Sequence, residues 1–277
     1  MTGLLDEYPG AAAAYSLRLL NTDYTGDAVI VRRASDNATQ SIGFVDGELD
    51  TDTLDTFCSG TDGFVTTWFD QSGNGVNAVQ TTASSQPKIF DSTTGVILDN
   101  GKPAIYINET YLENLTKPAS ASSTAYIVHK GDTGVTSNVS VFGFPANSYF
   151  AHIGLYYWGT DVNKPLGFNS WSADSFGYSN AEADFASHSI WTGLFKQGNI
   201  ATNGVRLFKD GVEKSLSQVL GVSTNRTFDD GIYIGRGGTI VGNQEGNGYY
   251  QEIVIYDNEL VNQSGIEDNI NNYYSIY

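Results

Sequence analysis

From one end to the other, this chain is cut into short runs of alternating residues, each closed by Gly, Asn, Ser or Pro. "DAVIVRRAS", "GFVTTWFDQ", "KPAIYIN", "TAYIVHK", "VSVFGF", "SIWTGLFK", "GIYIGRGG" and "YYQEIVIYD" all have this form. Such runs bury one side of a pleated strand, and the residues between them turn the chain back. In "VRLFKDGVEKSL" the pair Asp210-Gly211 sits between two alternating runs, the strongest short-range hairpin signal. The 17 Tyr, 14 Phe, 4 Trp and 31 Gly suit the same architecture, because aromatic rings fit half-buried strands and glycine fits tight turns. An all-β fold is predicted.

Helices are few. "DTDTLDTFC" predicts a short one near 50–58, capped by Asp or Thr, with Leu54 and Phe57 facing inward. Ile266, Ile270 and Tyr273 stand at helical spacing in the tail, predicting a closing helix against the sandwich. No linker, charge run or internal repeat divides the chain. The expected organisation is an N-terminal segment over 1–10, a candidate attachment peptide, followed by one domain over 11–277.

The 31 acids against 14 bases give a formal charge of −17, a field that repels nucleic acid and anionic membranes. One cysteine, Cys58, excludes an intrachain disulfide and reads as a small buried hydrophobe. The first twenty residues lack a basic stretch followed by an apolar run, so no signal peptide is expected, nor any membrane span. His129, His152 and His188 lie far apart without metal-ligand spacing, and no serine-hydrolase elbow occurs.

Two stretches resemble known families. "VRLFKDGVEKSL", "GIYIGRGG" and the tail from "GYYQEIVIYD" onward resemble laminin-G-like, concanavalin A-like domains. "AAYSLRLL", "DTFCSGTDGFVTTWFDQSGNGVNAVQ" and "NGKPAIYI" resemble the catalytic domain of the α-L-arabinofuranosidase B family, whose relatives include bacterial surface and phage virion proteins. The resemblance implies a two-sheet antiparallel jelly-roll sandwich. It also implies retaining hydrolysis by two carboxylates ~5 Å apart. In that family the acid/base aspartate follows a double glycine, but here Gly237-Gly238 is followed by Thr239, which cannot exchange protons as a carboxylic acid does. The strand that should carry the nucleophile, "PLGFNSWSADSFGYSN", holds Asp174 and no glutamate, with Glu182 just beyond it.

These departures lead to the expectation of a non-catalytic module of a phage virion that binds a host-surface glycan or decorates the particle. Other virion proteins and copies of itself are its expected partners. The alternatives are an arabinofuranosidase-like hydrolase with rearranged carboxylates, and a bacterial extracellular setting. Candidate sugar-binding residues are Tyr157, Trp158, Asn169, Trp171 and Asp174, in an aromatic stretch that also holds Tyr156, because sugar rings stack on exposed aromatic faces while Asn and Asp take hydroxyls. The loop Asp70, Ser72, Gly73, Asn74 and Gly75 reads as architecture, with the acid accepting backbone N–H bonds and the glycines supplying positive φ. Its alternating oxygen donors leave calcium as the weaker reading, and no other cofactor is expected.

Overall fold

The computed structural model describes residues 2–145, 152–169, 174–200, 202–221, 227–237 and 246–277. Within them, alternation and turn chemistry produce strands where the sequence pattern places them. Val29–Arg33 buries Val29 and Val31 and turns Ile30 and Arg32 outward. Its partner Gly63–Trp68 departs from strict alternation, burying both Val65 and Trp68. Val31 faces Val65 and Ile30 faces Thr67, so Thr66 is one residue extra. That bulge lets two inward residues stand three apart. At the tight hairpin, Arg206–Lys209 pairs with Val212–Glu213 while Asp210 and Gly211 take φ of 52° and 75°, as a type I′ turn requires.

Among the described residues twenty strands join in one continuous antiparallel sheet. The expected division into two hydrogen-bonded sheets is therefore not what the ladders show. Lys88–Asp91 pairs with both Ile105–Asn108 and Gly63–Trp68, and this bridge fastens two halves together. In one half, Asn247–Tyr256 has Ser122–Lys130 on one edge and Ala13–Ser16 with Ile105–Asn108 on the other. Ser189–Lys196 and Arg206–Lys209 extend it. The other half runs from Gly63–Trp68 through Ala78–Val79, Leu112–Asn114, Ile232–Ile234, Asn138–Pro145, His152–Trp158, Leu166–Asn169 and Asp174–Tyr178 to Ser217–Gly221.

Both halves turn apolar residues into one shared core that includes Tyr15, Trp68, Phe142, Phe168, Trp191 and Tyr250. Phe195, from the first half, meets Phe142, Phe144 and Phe168, from the second, with ring centroids 5.7, 5.3 and 5.0 Å away. These edge contacts, with ~1.5–3 kcal/mol from each ring's burial, tie the halves together.

A second cluster covers the outer face of the first half. Helix α1 (Leu4–Glu7) brings Leu4 and Leu5, and α4 (Gln263–Tyr274) brings Ile266, Ile270 and Tyr274, onto Tyr126, Val128, Ile190 and Val254. The N-terminal residues are thus packed into the body: Leu4 is fully buried, and Leu5 N–H donates to the Leu20 carbonyl. Tyr274, four residues after Ile270, completes the buried stripe, and Tyr273 instead lies against Arg18, 4.6 Å from its guanidinium. Beneath α4, Arg18 makes a bidentate pair with Glu252 at 2.7 and 2.9 Å. Burial works against the charged guanidinium there, and Glu252 more than offsets it, so Arg18 is held charged. Helix α2 (Thr51–Cys58), capped by Asp50 through the Thr53 N–H at 2.9 Å, buries Leu54 and Cys58. Burial pushes the Cys58 thiol up to about 11, so it packs as a neutral hydrophobe. Among the described residues no helix is long and apolar enough to cross a membrane.

Candidate functional site

Among the described residues no helix packs on the outer face of the second half, and register fixes what that face presents. Val79 stands opposite Glu113, Glu113 opposite Tyr233, Tyr233 opposite Gly143, Gly143 opposite Gly154, Gly154 opposite Asn169, and Asn169 opposite Ser175. Directly opposed residues share a face. Their neighbours Leu112, Ile234, Phe142, Leu155 and Phe168 all point into the core. One lateral row thus crosses seven strands, and its middle is two glycines.

A second glycine pair continues the bare floor, because Gly167 opposes Gly177. A Cβ on Gly167 would lie 2.1 Å from the Phe176 carbonyl oxygen, and one on Gly177 would lie 2.7 Å from that of Leu166. Glycine is required for these strands to approach so closely. Gly143, Gly154, Gly167 and Gly177 are all buried, and this strip of glycine backbone, the glycine trough, has polar groups at either flank.

On one flank, Glu113 Oε2 accepts from Arg236 Nη1 at 2.8 Å. The guanidinium lies 4.2 Å from the Tyr111 ring and 5.7 Å from that of Tyr233. Burial raises the Tyr233 hydroxyl pKa, and the Glu113 charge raises it further, so Tyr233 is a neutral donor there. On the other flank, the Ser175 hydroxyl donates to Asn169 Oδ1 at 2.9 Å, with both residues buried. Tyr156 and Trp158 alternate with the core-facing residues and pack together, centroids 4.8 Å apart. Glu113 was missed by sequence reasoning. Its signal was the "YLENL" alternation, in which Leu112 and Asn114 are buried and the acid between them faces out.

The structure divides the predicted sugar-binding group. Tyr157 is turned inward and fully buried, its ring stacked on Phe185 at 4.2 Å and 6°. It follows Tyr156 on an alternating strand, so the two rings cannot share a face, and a sugar has no access to Tyr157. Trp158 is also buried, and its ring lies against Tyr156 rather than open solvent. Asn169 belongs to the row described above. Asp174 opens the Asp174–Tyr178 strand, its backbone opposite Gly221. Trp171 and Thr239 lie outside the described residues. Glu182 begins α3 (Glu182–Phe185), at the strand end remote from Asn169, and pairs with Lys164 at 2.8 Å.

In the Asp70 loop, Oδ1 accepts from the N–H groups of Ala14 and Ser72 at 2.8 and 2.9 Å. Oδ2 accepts from the Ser72 hydroxyl at 2.8 Å and the Val76 N–H at 3.1 Å. Asn74 Nδ2 donates to the carbonyls of Ala11 and Ala12, while Gly73 and Gly75 take φ of 88° and 72°. Asp70 therefore closes the loop on itself with three hydrogen bonds and ties it to the Ala13–Ser16 strand with a fourth. Among the described residues no group of three His, Cys, Asp or Glu could hold a metal ion. His129 is fully buried, 4.6 Å from the Tyr250 ring, and His188 lies beneath α4 near Tyr274.

Residues 6–113 match the family model described as alpha-L-arabinofuranosidase B, catalytic. Among solved structures, an arabinofuranosidase complexed with arabinofuranosyl-alpha-1,2-xylobiose is similar over 94% of this chain, at 19% identity and a TM-score of 0.63. A GH54 α-L-arabinofuranosidase soaked with a cyclic sulfate inhibitor is similar over the same share, at 18% identity and a TM-score of 0.64. This chain spans 62% of the length of each of those two. A Trypanosoma rangeli sialidase complex shares the fold more distantly, at 13% identity and a TM-score of 0.50, over 75% of this chain and 31% of its own. No curated protein matches. The expected non-catalytic virion module is overturned by this pattern, because the family matched is a catalytic domain and the solved enzymes share the fold along nearly the whole chain. The departures at Thr239 and in the 165–180 stretch weighed too heavily, since two positions say nothing about carboxylates supplied from elsewhere in the fold.

Proposed function

We propose that this chain is a glycoside hydrolase domain that cleaves terminal α-L-arabinofuranosyl groups with a carboxylate set rearranged from the family pattern. The match of residues 6–113 to an arabinofuranosidase catalytic domain carries this reading. The glycine-floored trough is its substrate groove. A furanose ring beside Glu113 lies next to Tyr233, whose hydroxyl can donate to it, while Asn169 and Ser175, three and four strands from Tyr233, face a more distant part of the substrate.

Hydrolysis needs one carboxylic group to protonate the leaving oxygen and another to attack the anomeric carbon or activate water. Glu113 supplies a carboxylate on one flank, held in place by Arg236. Asp174 stands by the other flank, beside Ser175. Five strand spacings of ~4.8 Å put ~24 Å of sheet between the flanks, so the two acids do not act on the same bond. Glu113 is the first assignment, as nucleophile or base, because its side chain shares the face of the glycine row, and the proton for the leaving oxygen must come from a second acid other than Asp174.

Release of 4-nitrophenol from 4-nitrophenyl α-L-arabinofuranoside tests the proposal. The parent protein should turn over, and Glu113→Gln should lose at least ~100-fold in kcat, the scale of a carboxylate acting on the reacting bond. Asp174→Asn is the paired comparison, expected to keep most of the rate. No turnover by the parent protein at any pH between 4 and 8 would overturn the proposal.

A further inference from the structure

A second groove lies on the opposite side of the molecule, on the face that α4 partly covers. It has a volume of about 600 Å³, with Tyr106 and Tyr249 forming one wall and Val96, Ile97 and Leu98 another. Ile105 and Ile107 point into the core, so Tyr106 between them points out. Tyr249 faces Tyr106 across the strand pair, with centroids 4.9 Å apart and planes at 42°.

This arrangement is built by one irregularity. His129 pairs with Tyr250 but Val128 pairs with Glu252, so Gln251 is an extra residue in the Asn247–Tyr256 strand. Glu252 faces outward to Arg18, and without the bulge Tyr250 would face outward too. The bulge turns Tyr250 into the core and Tyr249 out to the groove. The Gln251 side chain then donates to the carbonyls of Asp99, Lys102 and Pro103 at 3.0–3.1 Å, which pins the hairpin carrying Leu98 as the facing wall.

The wall is also stiff and polar at its rim. The Tyr106 hydroxyl donates to Asp132 Oδ2 at 2.8 Å, and Asn247 holds the same carboxylate at 2.9 Å. Lys88 is already shared between Asp62 and Asp91, and Lys130 is taken by Asp99. An anionic ligand therefore finds no unengaged cation there. A neutral polyol does fit, because its C–H face can lie on rings that lose little freedom on binding, while its hydroxyls donate to the rim carboxylates.

We propose that the Tyr106–Tyr249 groove is a second carbohydrate site that takes a neutral oligosaccharide chain, separate from the glycine trough. Binding is read without turnover, so the site stands or falls independently of hydrolysis. Isothermal titration with arabinotetraose and xylotetraose should give saturable heat in the millimolar range with at least one sugar. Tyr249→Ala and Tyr106→Ala should each weaken it by at least about fivefold, while Tyr249→Phe keeps it. Thr94→Trp, an exposed position on the groove rim, blocks the site without deleting a ring and should abolish the same heat even if an alanine variant folds poorly. Saturable heat unchanged in Tyr106→Ala, Tyr249→Ala and Thr94→Trp would overturn the proposal, as would no saturable heat with either sugar.

Discussion

The two outer faces of this molecule are put to opposite uses. The face of the first half is sealed by α1 and α4 over Tyr126, Val128, Ile190 and Val254, with a charged pair buried beneath them. The face of the second half carries no helix among the described residues and places Gly143, Gly154, Gly167 and Gly177 along its centre. Helices over one face add burial, and glycines across the other give up side-chain packing for close approach of the strands. Mutations beneath α1 and α4 should therefore act on stability, and those on the glycine face on activity.

The largest effect is expected under α4. Glu252→Gln leaves Arg18 buried and charged against a neutral partner, and should cost about 3–5 kcal/mol in a denaturant titration. A cost below about 1 kcal/mol would show that the sealed face is not where stability is concentrated.

Next in size is a pH effect from between the halves. Burial lowers the His129 pKa to about 4 from an ordinary 6.5, with the Asn247 carbonyl opposing the shift. The unfolded chain then binds a proton that the folded one refuses, so this contribution is complete above pH 6.5 and is lost as pH falls towards 4. The loss approaches about 3 kcal/mol at the lower end. His129→Phe, which cannot titrate, should flatten that part of the stability profile, and an unchanged profile would assign the slope to other groups.

On the open face, Gly167→Ala sharpens the contrast. Its Cβ has no room beside the Phe176 carbonyl, so the strands must part. A loss of about 1–3 kcal/mol is expected, accompanied by a raised KM for the aryl arabinofuranoside. Unchanged stability and KM would mean that the floor tolerates a side chain and is not a fitted surface.

Much of the fold was legible because its signals are local. Asp210-Gly211, the Asp50 cap and the Ile266/Ile270 spacing each act within a few residues, and each stands where the pattern put it. The trough was not legible. It exists only because seven strands, from Ala78–Val79 to Asp174–Tyr178, align in register, and no local pattern encodes a row across partners so distant in sequence. Tyr157 and Trp158 were grouped as sugar-binding candidates in one aromatic stretch, although as neighbours on an alternating strand they point opposite ways, Tyr157 into the core. Bulges at Thr66 and Gln251 changed the facing of Trp68 and Tyr249, and each depends on a partner strand far along the chain.

The most direct test of a sealed face for stability and an open face for chemistry is one variant measured twice. Glu113→Gln should remove arabinofuranoside turnover by at least ~100-fold while shifting the denaturant midpoint by less than about 1 kcal/mol, since its ion pair with Arg236 sits at a partly exposed rim. Full turnover in Glu113→Gln, or turnover lost only because the protein unfolds, would contradict the account.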